Sequence, residues 1–211
     1  MIQTATRALA AAALLAATAA HADGIQTYRP VRSLYMLNWE ASSPLGSFAD
    51  DYIDEWSYRG LSFESRSMVR EGLSAGIGFT YNRFEQTHSN IVQTNPGGGT
   101  VSGPVYRFAD QFAIKALVHK YFGRGSLLPY LGVGIGGVWT YAYEQMADIA
   151  VADDGFDFIV SPEIGLAFKA ASGASSVGLN VAVRYNYTTA DFAQVNDAQT
   201  LAAVVGLYFS Y

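Results

Sequence analysis

Cysteine is absent from the 211 residues. That excludes a disulfide framework, thiol chemistry and any thiolate metal site. Charge is scarce: Asp, Glu, Lys and Arg make up 15% of the chain, and the net charge is −5. Such a balance offers no basic field for gripping nucleic acid, so no nucleic-acid partner is expected. Histidine is rare, with only His88 and His119 beyond residue 22. Two imidazoles and scattered aspartates do not make a metal cluster, and no cofactor is expected. Past the N-terminus no apolar run reaches the length of about 18 residues that a membrane-spanning helix needs. Helical periodicity is weak there as well.

The N-terminus has a different character. Arg7 precedes an apolar run from Ala8 to Ala20, and Ala20-His21-Ala22 has the small-x-small form of a cleavage site. This is the layout of a secretory signal peptide, expected over residues 1–22, with a single domain over 23–211. Tyr (14), Phe (12) and Gly (21) are plentiful, which suits a β-rich chain with tightly packed interior positions.

Period-2 alternation dominates the rest. Leu201, Ala203, Val205, Leu207, Phe209 and Tyr211 form one face of the last segment, and Ala202, Val204, Gly206, Tyr208 and Ser210 the other. The same pattern recurs over 73–82, 131–143 and 177–187. It predicts eight strands, at 31–41, 57–69, 73–85, 105–122, 129–144, 156–169, 177–188 and 199–211. Connections alternate in length. Those around Arg70-Glu71-Gly72, Gly123-Arg124-Gly125 and Ser172-Gly173 are short, whereas Ser42–Trp56 and Gln86–Pro104 are long and polar. The second of these includes Asn95-Pro96-Gly97-Gly98-Gly99, a loop by its turn chemistry.

A soluble barrel fills its interior with bulk and wets its outside; a membrane barrel does the reverse. Here one face of each strand carries Leu, Val, Ile and Phe, and the other carries Gly, Ser, Asn, Thr and a few charges. Trp139, Tyr141, Tyr143, Tyr185 and Tyr187 gather at strand ends, as in interfacial girdles. The reading is all-β: a single closed antiparallel transmembrane β-barrel of eight strands, with short periplasmic turns and longer extracellular loops.

The chain closes on Leu207-Tyr208-Phe209-Ser210-Tyr211, alternating apolar residues before a final aromatic. This resembles the C-terminal signature of bacterial outer-membrane proteins, whose usual last residue is Phe. Tyr58–Glu64, Leu73–Tyr81 and Pro129–Gly136 likewise resemble small OmpA/OmpW/OmpX-like barrels. The resemblance implies Leu207, Phe209 and Tyr211 as an assembly signal read by the barrel-assembly machinery. It also implies periplasmic chaperones during biogenesis and outer-membrane lipid and lipopolysaccharide as surroundings; the sequence leaves the oligomeric state open, with a monomer favoured.

Alternation places Glu64, Arg66, Lys115, His119, Glu163 and Arg184 on the inward face. Folding 156–169 and 177–188 about a turn near 173 sets Glu163 opposite Arg184, where a cross-strand ion pair is expected. Buried charges must be paired or hydrated, so these six residues read as a polar network filling the lumen. An interior of eight strands is only wide enough for side chains or one small ligand. A structural role, or passage of small or apolar solutes, is the leading functional reading. Adhesion through the long loops is the alternative. A lipid A-modifying enzyme is a third, with His88-Ser89 as its only adjacent pair, which reads better as ordinary loop. Asp50, Asp51, Asp54 and Glu55, and Asp148, Asp153, Asp154 and Asp157, are expected in outer loops as a solvated acidic rim rather than a Ca²⁺ site.

Overall fold

The computed structural model describes residues 33–94, 100–123, 125–146, 149–169, 176–189, 195 and 197–210. The signal-peptide segment, Asn95–Gly99, Asp148, Ser172-Gly173 and Tyr211 lie outside the described residues.

Eight strands run in chain order around one closed antiparallel barrel. They are β1 (Ser33–Leu45), β2 (Ser57–Arg70), β3 (Leu73–Thr94), β4 (Thr100–Tyr121), β5 (Leu127–Met146), β6 (Ile149–Lys169), β7 (Ser176–Thr188) and β8 (Ala198–Ser210), with one short helix, α1 (Ser47–Asp51), between β1 and β2. Closure leaves β1 paired to β8, with Trp39 opposite Val205. Every strand therefore has a paired neighbour on both sides through the lipid layer, where an unpaired backbone group has no water to turn to.

One row of register partners shows how the barrel is wound. Leu166 faces Val181, which faces Val205, then Trp39, Leu61, Tyr81, Phe112, Trp139 and Phe156. The row leaves β6 at Leu166 and returns to it at Phe156, ten residues away, and this offset is the stagger of the closed sheet. Stagger and strand number together fix a tilt of roughly 35–45°. Every residue in the row is apolar or aromatic, and the whole row faces outward.

The outward face also measures its solvent. On β4, Lys120 and Asp110 bracket the outward residues Val118, Ala116, Ile114 and Phe112. Ten residues at ~3.3 Å each, tilted by ~40°, span a band ~25 Å tall, the height of an outer-membrane hydrocarbon layer. Ile114, half exposed near the middle of that band, gives a direct check. Ile114→Arg is expected to cost about 2–4 kcal/mol in urea titrations of the protein in lipid vesicles. Tyr106→Arg lies on the same face of the same strand above Asp110 and should cost about 0–1 kcal/mol.

Expectations about three of the connections are corrected. The excursion after β3 is mostly strand: β3 and β4 stay paired as far as Thr94 and Thr100. The excursion after β5 is a hairpin paired as far as Met146 and Ile149. His88 thus lies in β3, and Asp153, Asp154 and Asp157 lie in β6 rather than in loops. Once the chain rises out of lipid both faces are wet, so these segments lose the apolar alternation that marks a half-buried strand. The connection between β1 and β2 is not a plain polar loop either. It holds α1 and folds back into the mouth of the barrel.

Candidate functional site

The lumen is filled in three layers. The floor is apolar and aromatic: Leu34, Met36, Tyr121, Tyr130 and Tyr208 pack together at the end carrying the short turns. Glycines on neighbouring strands make room for this bulk. A Cβ at Gly165 would lie 2.5 Å from the Tyr130 ring, and one at Gly132 would lie 2.0 Å from the His119 ring. The glycine-rich inner face is therefore the complement of a few large side chains.

Above the floor is a charged waist, to which all six inward residues expected from alternation contribute. Glu163 and Arg184 are direct register partners, and Arg184 Nε donates to Glu163 Oε2 at 2.6 Å. Arg184 Nη1 donates to Glu40 Oε1 at 2.6 Å, and Nη2 donates to Glu64. One guanidinium thus bridges three carboxylates. Arg66 donates through Nε to Glu64 Oε2 at 2.8 Å and through Nη1 to the Tyr121 hydroxyl at 2.9 Å. It also lies over the Tyr130 ring, 5.2 Å from its centroid. The Tyr130 hydroxyl donates to Glu163 Oε1 at 2.7 Å, and His119 Nε2 stands 3.6 Å from the same oxygen. Lys115 Nζ donates to Ser161 Oγ at 3.4 Å.

Glu40 was not among the residues expected here. Its signal lies in β1, where the outward Leu37 and Trp39 flank Asn38 and Glu40. With Glu40 the waist holds three carboxylates against Arg66, Arg184 and Lys115, a balanced set. Balance is what a low-dielectric interior requires, because a single uncompensated charge there costs several kcal/mol.

The third layer is the folded first loop. Phe48, Tyr52 and Ile53 are fully buried beneath the rim, against Phe84, Ala109, Ala142, Val195 and Ala198 of the barrel mouth. Gly46 takes a left-handed φ of 59° that turns the chain inward, a conformation glycine adopts without penalty. Phe48 meets Phe84 edge-on at 5.2 Å between centroids. The Tyr52 hydroxyl donates to the Tyr143 carbonyl at 3.0 Å, with the Phe108 carbonyl at 3.2 Å. Burial, reinforced by nearby Glu144, pushes the Tyr52 phenol above its ordinary range and keeps it a donor. Arg107 latches the loop from the wall of the mouth, over the Tyr52 ring. It donates to the carbonyls of Tyr52 at 3.1 Å and Asp51 at 3.3 Å and pairs with Glu144 at 2.7 Å. On the opposite side Ser47 Oγ lies 2.7 Å from Asp197 Oδ1. Hydrogen bonds from Ser47 and Gln199 hold that carboxyl below the usual carboxylate range.

Among the described residues no His, Asp and Glu group is arranged to hold a metal ion. The exposed ends of the expected assembly signal, Leu207 and Phe209, point outward on β8, and Tyr208 turns into the floor.

No family model matches the chain, and no curated protein matches it. Solved structures do. Neisserial surface protein A superposes with a TM-score of 0.59 at 11% identity, over 87% of this chain and all of that one. The attachment invasion locus protein Ail of Yersinia pestis, solved in complex with the heparin analogue sucrose octasulfate, superposes with a TM-score of 0.51 at 11% identity, again over 87% of this chain and all of that one. At that identity the likeness speaks for architecture, and it agrees with the outward apolar band and the stagger. The chain has the fold of the small eight-stranded outer-membrane β-barrels.

Proposed function

We propose that the chain is a non-enzymatic outer-membrane surface protein, exported by a cleaved signal peptide over residues 1–22, in which a filled barrel anchors a projecting recognition sheet. The observation that carries this reading is where the strand pairing stops. β2 leaves β3 above Leu61 and Tyr81, and β7 joins β6 only below Ile159 and Thr188. Beyond those limits β3, β4, β5 and β6 continue together as a sheet whose outer strands, β3 and β6, have no further strand register among the described residues. Exposed edges template added strands and are rarely left long without use. Ile149, Val151 and Phe156 are more than half exposed on β6, and Asp153, Asp154 and Asp157 among them favour a cationic partner segment.

Passage through the lumen has less support, because a solute would have to displace both the folded loop and the charged waist. Two measurements separate the readings. Replacing 89–104 and 143–152 by short turns should leave a folded barrel, seen as the heat-dependent gel shift of such proteins. It should also reduce binding of expressing bacteria to immobilised host-cell surface proteins to the level of cells lacking the chain. The intact protein should be silent in planar bilayers; discrete conductance steps would restore the passage reading.

A further inference from the structure

A cleft on the wall, apart from the lumen and at the β3 edge of the projecting sheet, has the chemistry of a sugar site. It opens where β2 parts from β3 and is lined by Glu55, Trp56, Ser57, Tyr58, Arg59, Arg83, Glu85, Gln86 and Thr87. Its volume is about 320 Å³, at the small end of ligand pockets. Trp56 and Tyr58 form its platform: their rings stack at 6.4 Å and 22°. They remain 51% and 63% exposed. So much aromatic surface left in contact with water calls for an occupant.

Girdle aromatics also sit at headgroup depth; what sets this pair apart is the cleft it lines together with charged side chains. Trp56 precedes β2, and Arg59 and Arg83 are the first outward charges above the apolar residues Leu61 and Tyr81. The platform therefore stands above the lipid band, at the depth of headgroup sugars. Opposite it, polar groups are already fixed. Glu85 Oε1 accepts from Arg59 Nη1 and from Arg83 Nε, each at 2.6 Å. Arg83 also stacks on Phe108, 4.7 Å from the ring centroid. Ser57 Oγ donates to the Arg83 carbonyl and accepts from Arg59 N–H at 3.2 Å.

We propose that this cleft binds an uncharged saccharide ring. The apolar C–H face of the sugar would lie on Trp56 and Tyr58, and Arg59 and Glu85 would meet its hydroxyls. Two observations select that ligand class. Stacked aromatics need a flat apolar face, and a pyranose has one. The two arginines are balanced by Glu55 and Glu85, so the cleft has no net positive field for phosphate or sulfate. The sugar belongs either to the core of lipopolysaccharide in the same leaflet or to a soluble glycan.

Saturation-transfer NMR on the full-length protein in a zwitterionic detergent without a sugar headgroup tests this. The probes are lactose and the core oligosaccharide released from a rough-strain lipopolysaccharide. Transfer to ring C–H protons is expected for at least one probe, with affinity falling roughly tenfold or more in Trp56→Ala and in Tyr58→Ala. It should be unchanged in Trp139→Ala, an outward aromatic outside the cleft. Transfer to the core oligosaccharide alone assigns the site to the protein's own leaflet, and transfer to lactose as well assigns it to soluble glycans. No transfer with either probe, or equal transfer in the Trp56 and Tyr58 variants, overturns the proposal. All three side chains are exposed, so the variants should fold, and the gel shift verifies that they do.

Discussion

Arg184→Ala is expected to destabilise the protein by about 3–5 kcal/mol, measured by urea unfolding in lipid vesicles with tryptophan fluorescence. Arg184 is 3% exposed and holds Glu40, Glu64 and Glu163 together. Removing it leaves those carboxylates facing Arg66 and Lys115, and Lys115 bonds to Ser161 rather than to a carboxylate. The unfolded reference is a solvated chain, so the full cost of leaving charge buried without its partner falls on the folded state. Arg184→Lys should be intermediate, because a single ammonium cannot reproduce the planar fork that reaches three acids. Adding Glu163→Gln to Arg184→Ala should recover part of the loss by removing one orphaned charge. This double variant separates electrostatics from the packing lost with the side chain. A loss below about 1 kcal/mol for Arg184→Ala would mean that the waist is solvated like a surface ion pair.

The waist was legible in the sequence because the lipid enforces alternation. Once Val181 and Val183 face outward, Arg184 must face inward, and a turn near 173 fixes its partner. Glu40 obeyed the same rule and could have been found from Leu37 and Trp39. The folded loop obeyed a different rule. Phe48, Tyr52 and Ile53 are spaced for a single helical turn and stand among Ser47, Asp50, Asp51 and Asp54. Five residues of helix are too few for a periodic signal, and the acidic neighbours make the segment read as polar. The projecting sheet was hidden for a third reason. Asn95–Gly99 marks a turn, but how far the flanking strands run above the membrane is set by cross-strand pairing, with no buried face to print a period of two. Lipid thus makes the barrel readable, and its absence makes the ends that rise above it unreadable.

The loop over the mouth carries the second large effect, and its stability is expected to be separable from that of the barrel. Phe48 is fully buried and packs against Phe84 and Tyr52, so Phe48→Ala should cost about 3–5 kcal/mol of the docked state. None of the strand pairing depends on that docking, so the loss should appear as local opening rather than global unfolding. The expected result is a rise of roughly two to four orders of magnitude in protease cleavage between Gly46 and Trp56. The urea midpoint of the barrel should barely move. Because Arg107 donates to the carbonyls of Asp51 and Tyr52, Arg107→Ala should open the loop in the same direction by about 1 kcal/mol or slightly more. Opening the mouth alone should not make a channel, since the charged waist and the tyrosine floor still close the lumen beneath it. Phe48→Ala should therefore remain silent in planar bilayers. Conductance in that single variant would show that the loop is the barrier and that the waist already admits ions, which would move the functional reading from display back to passage.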